Sequence, residues 1–139
     1  MNIYLAARYS RRSEMEGYKR LLEDRGHTVT SRWLFGEDQL NGKGSTVWSD
    51  AQEAAGEIPD TAVVFAQNDI EDIEKADILI AFPDEPRKPT TSRGGMHVEF
   101  GYALARKKTL ITVGHKQNAF HLLAHFHYDN WLQLQREWL

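Results

Sequence analysis

The sequence predicts a single α/β domain over residues 1–139: a doubly wound, Rossmann-like sandwich with a parallel sheet between two helix layers. Three observations predict it. Short apolar runs at 3–7 and 78–82 lack polar alternation, so both faces of each strand need cover, as in a parallel sheet. Segments of helical period separate the strand-like runs. The polar turns and long loops that follow these strands fall on one edge, where open α/β sheets collect ligands.

Residues 3–7 form the first strand. Arg8-Tyr9-Ser10-Arg11-Arg12-Ser13 make a polar turn into a helix over 11–25, with Met15, Tyr18, Leu21 and Leu22 as its apolar stripe. Gly26 is placed to end that helix, and 27–33 alternates enough for a second strand. Residues 35–49, with Gly36, Gly42 and Gly44, have little periodicity and are too long for a plain connector. A short helix is expected over 50–57 and a long one over 60–76, with Pro59 suited to its start. The third strand runs to Phe82, and a polar loop with Pro83, Pro86 and Pro89 follows to residue 92. Gly94-Gly95 leads into a helix through Lys107, and 109–113 is a fourth strand. Asn118 is placed to cap a short helix over 119–124. Residues 129–139 form a last helix with Trp131, Leu134 and Trp138 on one side.

Composition narrows the chemistry. Apolar residues are 41% and charged residues 27%, ordinary for a globular domain of 139 residues. The formal net charge of -3 argues against a nucleic acid polymer or an anionic membrane as the main partner. There is no cysteine, so disulfides, thiolate nucleophiles and cysteine metal sites are excluded. The opening residues carry no secretory signal and no apolar run is long enough to span a bilayer, so a cytoplasmic location is expected.

The chemistry centres on Glu99, in Gly94-Gly95-Met96-His97-Val98-Glu99-Phe100-Gly101-Tyr102. The spacing places it in the first turn of a helix, where free N–H groups favour a carboxylate anion. The glycines allow a ligand to approach the backbone, or they merely make the loop before a helix whose first turn favours glutamate. Asp69 lies in a run of acids that by itself reads as a solvated helix face, Glu71 and Asp72 most of all. Arg8, Ser10, Arg11, Arg12 and Ser13 make either a phosphate-binding turn or a basic first helical turn on the surface, with Ser92 and Arg93 as a weaker second candidate for phosphate. Neither a dinucleotide fingerprint nor a Walker lysine motif is present. Trp33, Trp48, Tyr4 and Tyr9 are candidates to stack on a base. His121, His125 and His127 lack the glutamate of a zinc-peptidase motif and are expected in packing or an interface, so no metal is predicted.

These residues carry a likeness. Gly95-Met96-His97-Val98-Glu99-Phe100-Gly101-Tyr102-Ala103-Leu104-Ala105, the opening Ile3-Tyr4-Leu5-Ala6-Ala7, and Asn68-Asp69 followed by Ala76-Asp77-Ile78-Leu79-Ile80-Ala81 resemble the nucleoside 2-deoxyribosyltransferase family, including its nucleoside 5'-monophosphate N-glycoside hydrolase branch. The resemblance implies that Glu99 attacks or stabilises the sugar's anomeric carbon. It implies that Asp69 assists or binds the leaving base, and that Tyr4 or Tyr9 stands near the glutamate. It also implies homodimers or larger assemblies with shared active sites, a nucleotide or nucleoside substrate, and no cofactor. Transferase members often carry an aspartate six residues before the glutamate; here that position is Arg93, which suits a more anionic ligand. Hydrolysis of a nucleoside or 2'-deoxynucleoside 5'-monophosphate is therefore the leading expectation. Base exchange by transfer and a non-catalytic nucleotide-binding module are the alternatives.

Overall fold

The computed structural model describes residues 1–35, 55–58, 60–84 and 94–139. Five parallel strands form one sheet: β1 (Asn2–Ala6), β2 (Thr28–Val29), β3 (Ile78–Ala81), β4 (Thr109–Val113) and β5 (Phe126–Tyr128), in the order β2-β1-β3-β4-β5. Among the described residues four α-helices cover it: α1 (Arg12–Asp24), α2 (Val63–Lys75), α3 (Gly95–Ala105) and α4 (Trp131–Glu137). Strand order reverses between β1 and β3, and Ala6 and Ala81 end these strands in register. Such a switch point opens a crevice beyond the strands' carboxyl ends. No described helix is long and apolar enough to cross a membrane.

The central strands form because their residues are apolar on both sides. Ile3, Leu5, Leu79, Ile80, Leu110 and Ile111 are all fully buried. On one face α1 and α4 meet, with Tyr18 stacked on Trp131 at 4.1 Å between ring centroids and Phe82 stacked on Tyr18 at 5.3 Å. On the other, α2 and α3 are joined by Glu74, which accepts from the Tyr102 hydroxyl and pairs with Arg106 at 2.6 Å. Right-handed crossovers from β1 to β2 and from β2 to β3 require opposite faces for α1 and α2.

The element boundaries have local causes. Gly26, at φ 88°, ends α1: its N–H bonds to Glu23 O and the next N–H, of His27, to Leu22 O. The same pair of bonds ends α3, with Lys107 at φ 59° in the place glycine usually takes, so the helix stops at Ala105 and does not reach Lys107. Asn118 caps a 3-10 helix (Ala119–Leu123) and accepts from Phe120 N. Asn130 caps α4, so the C-terminal helix starts after residue 129.

Three expectations need correction. The second strand is two residues long, not 27–33: Ser31 turns its hydroxyl to Leu5 N, and the chain enters a 3-10 turn (Arg32–Phe35). A fifth strand, Phe126–Tyr128, was not expected at all. It is a three-residue edge strand with one buried side chain, and so it carries little periodic signal. Residues 55–58 are not helical, whereas 50–54 of the expected short helix lie outside the described residues, as do Pro59, Trp48 and nearly all of the loops read at 35–49 and 83–92. A 3-10 turn, Asp60–Ala62, precedes α2.

Candidate active site

Tyr4, Asp69 and Glu99 come from β1, α2 and α3 and converge beneath the switch point. Their charges act on one another: Asp69 and Glu99 both disfavour ionisation of Tyr4, and Asp69 disfavours ionisation of Glu99. Tyr4 is fully buried. Glu99 is partly buried as a residue, but its Oε2 is sealed from solvent. Neither Tyr4 Oη nor Glu99 Oε2 has a partner in hydrogen-bond geometry, although the Tyr4 hydroxyl is near enough to favour the Glu99 anion. Buried polar atoms without partners are uncommon in folded proteins and concentrate at functional sites.

The protonation state follows. Burial first, and Asp69 second, push the Glu99 carboxyl well above the ordinary carboxylate range, while the Tyr4 hydroxyl pulls it back. Burial first, then Glu99 and Asp69, push the Tyr4 hydroxyl up. This corrects the expectation of a carboxylate held ionised in a first helical turn. Gly94, at φ 100°, is the N-cap and Gly95 the first helical residue, so Glu99 lies in the second turn, beyond the free N–H groups. The helix end therefore leaves desolvation and the neighbouring acid to dominate.

Tyr9 stands elsewhere. Its hydroxyl accepts from Arg12 at 2.6 Å, and its ring lies 6.5 Å from that of Trp33. Trp33 is buried with its indole N–H on Leu5 O, which makes it a core residue and removes it from the candidates for base stacking. The arginine turn leaves the end of β1 as expected. Arg8 lies 3.5 Å from the buried Asp84, which follows β3, so this pair spans the switch point. Arg11 binds both oxygens of Glu14 and also donates to Phe82 O. Arg12 pairs with Glu16 at 3.9 Å. Ser10 is exposed. Gly95 has open space where a side chain would project. Ser92 and Arg93 lie outside the described residues.

The histidines serve packing and backbone bonding. His125 Nδ1 accepts from Leu110 N, His121 Nδ1 accepts from Gln117 N, and His127 bonds Thr112 Oγ1 at 2.8 Å. No group of three metal-ligating side chains occurs among the described residues. His97 points away from Glu99, toward Asn118 and His121, into an apolar groove of about 300 Å³ that Val98, Phe100 and Phe120 also line.

Sequence reasoning missed Asp72. It is not part of a solvated face: it is 1% exposed and receives the Arg32 side chain at 2.8 Å and the Arg32 backbone N–H at 2.9 Å. Its place beside Ile73 on the core-facing side of α2 was the available signal. Asp84 was missed as well, because nothing in a polar loop marks which carboxylate will be covered.

Comparison with known proteins agrees with this architecture. The chain is similar to the CMP N-glycosidase BcmB of Clostridium botulinum, at 21% identity over 92% of this chain and 87% of that one, with a TM-score of 0.49. It is also similar to a conserved protein from Enterococcus faecalis V583, at 16% identity over 99% of this chain and 76% of that one, with a TM-score of 0.50. No curated protein matches the chain. A family model described as nucleoside 2-deoxyribosyltransferase matches residues 3–132, a span that takes in β2 to β5, all of β1 but Asn2, and the converging Tyr4, Asp69 and Glu99: the chain belongs to the nucleoside 2-deoxyribosyltransferase family.

Proposed function

We propose that this protein hydrolyses the N-glycosidic bond of a nucleoside or 2'-deoxynucleoside 5'-monophosphate, releasing free base and sugar 5-phosphate. The observation that carries the reading is the Glu99 carboxyl, buried beside Asp69 with Oε2 unpartnered. Breaking a C1'–N bond builds positive charge on the sugar. A carboxylate pair stressed by burial and mutual repulsion is relieved when that charge forms, so it stabilises the transition state more than the ground state. Glu99 acts on the anomeric carbon once it has given up its proton, which the developing positive charge favours. Asp69 passes that proton to the departing base, which takes the bonding electron pair. Water then supplies the hydroxyl at C1' and a proton to restore the pair. Tyr4 positions Glu99 and is the member of the tyrosine pair suited to this; Tyr9 is occupied by Arg12.

The monophosphate preference is supported by the arginine turn at the end of β1, with Arg8 as its first ligand and Ser10, Arg11, Arg12, Ser92, Arg93, Gly94 and Gly95 as further candidates. Base exchange by transfer remains the second reading, because the family's description names it. A screen of all nucleosides and their 5'-monophosphates for base release, read by chromatography with and without a second free base, tests both. Free sugar phosphate alone supports hydrolysis, and a new nucleoside or nucleotide supports transfer. A nucleotide that binds without releasing its base over long incubation would leave a binding module.

A homodimer or larger assembly in the cytoplasm completes the reading. Of the C-terminal aromatics, Tyr128, Trp131 and Trp138 are used inside the fold, as a buried side chain and as stacks on Tyr18 and His27. The support comes from Phe120 and Phe126 with Val98 and Leu122, which are half to two-thirds exposed. Light scattering that shows a fully active monomer would refute it.

A further inference from the structure

We infer that Arg32 and Asp72 are a positioning pair that holds Asp69 against Glu99. Arg32 reaches the helix turn on both sides of Asp69. Its backbone N–H and Nε bind the two oxygens of Asp72, and its Nη2 donates to Asn68 O at 3.3 Å. The Thr30 hydroxyl adds a bond to Asp72 O at 2.9 Å. The segment that carries Arg32 is itself locked to β1 beside Tyr4. Ser31 Oγ accepts from Leu5 N at 2.7 Å, and the Trp33 indole donates to Leu5 O at 2.9 Å. A continuous run of bonds thus joins the strand that carries Tyr4 to the helix turn that carries Asp69.

That connection matters because the Asp69–Glu99 approach is unfavourable by itself. Like charges in a desolvated place separate unless something holds them. Stability alone does not account for the pair: the Arg32 side chain is 37% exposed, and an ion pair with one end in solvent contributes little. What apolar residues cannot supply is direction: a guanidinium fork gripping a carboxylate and a carbonyl in one turn fixes that turn's rotation. The groups facing Glu99 are Tyr4 and Asp69, and those acting on Asp72 are Arg32 and Lys75.

The inference rests on the reading of Asp69 as partner acid only for its catalytic consequence, so the test has a readout that needs no substrate. The Glu99 carboxyl carbon is followed by NMR across pH in the parent and in Arg32→Met/Asp72→Leu, which removes both charges and keeps the volume. The Glu99 midpoint is expected to fall by about half a unit or more, as a neighbouring carboxylate recedes. The same double substitution in an Asp69→Asn background is expected to give no further shift. Arg32→Lys, which keeps the charge and loses the fork, should fall between and serves if the double variant does not fold. A lowered Tm with an unmoved Glu99 midpoint overturns the inference. A moved midpoint in a protein that releases no base upholds the clamp while defeating the proposed function, so the two failures are distinct.

Discussion

The Tyr4–Asp69–Glu99 cluster and the arginine turn both lie at the carboxyl edge of the sheet, yet their electrostatics are opposite. In the cluster burial and Asp69 make the ionisation of Glu99 harder, and two polar atoms lack partners. In the turn every guanidinium has a countercharge or carbonyl: Arg8 has Asp84, Arg11 has Glu14 and Phe82 O, and Arg12 has Glu16 and the Tyr9 hydroxyl. A stressed group stores a drive that a substrate's developing charge can release. A satisfied group offers binding only by exchanging partners, so its effect on a ligand is smaller and depends on what it leaves behind.

The sharpest break of this comparison is Glu99→Gln. Turnover is expected to fall a hundredfold or more, the usual scale for an electrostatic group in a transition state. The fold should gain stability at the same time. Folding raises the Glu99 pKa, so the folded state holds its proton longer than the unfolded chain does. Below the unfolded value of about 4.3 the group is neutral in both states and costs nothing; as pH rises from there through the folded value, stability is progressively lost. Glu99→Gln should therefore match the parent's Tm at low pH and exceed it by a few degrees near neutrality, on the scale of about 4 °C per kcal/mol for a domain of this size. Equal melting across pH would show that the cluster is not stressed.

Asp69→Asn comes next. It removes the acid proposed to pass a proton to the base, and the rate is expected to drop roughly tenfold to a hundredfold for poor leaving bases and less for activated ones, within the range of general acid catalysis. An equal, small loss for both classes would reduce Asp69 to a spectator. Arg8→Ala should lower kcat/KM for monophosphates about tenfold and leave bare nucleosides nearly unchanged, as expected for one charge-assisted contact. Arg11→Ala should change that ratio least, because its guanidinium already holds Glu14 and Phe82 O; its effect should instead be a stability loss of about 1 kcal/mol, read by denaturant titration. If Arg11 governs phosphate selectivity and Arg8 does not, the contrast between Arg8's longer pairing with Asp84 and Arg11's close grip on Glu14 and Phe82 O is wrong.

Burial on both sides made the sheet's centre legible. Ile78-Leu79-Ile80-Ala81 and Thr109-Leu110-Ile111-Thr112-Val113 admit hardly any other reading, and Gly26 marked its helix end. The edges were harder. β2 is cut short by Ser31 and Trp33 turning to Leu5, a tertiary contact with no local signature, and β5 is too brief to show a period. At the site, the glycine-flanked motif located Glu99 but misjudged its environment, because the sign of its pKa shift depends on which helical turn it occupies and on what α2 brings beside it. The choice between Tyr4 and Tyr9 was likewise invisible locally: one faces the interior from a central strand, and the other closes on Arg12.

Tyr4 sits in β1, which is paired on both sides, with β2 and with β3. Amides in such a strand exchange with solvent only when the whole domain opens. The tyrosine side of the site should thus persist on the slowest timescale the protein has. Its partners arrive from residues 69 and 99, so no short N-terminal fragment can assemble the trio. The pairing that builds it is non-local, of the kind that forms late and slowly as a chain folds. The Tyr4–Asp69–Glu99 cluster is complete only when folding is nearly finished, and a newly made chain brings its two carboxyl groups together as one of its last acts.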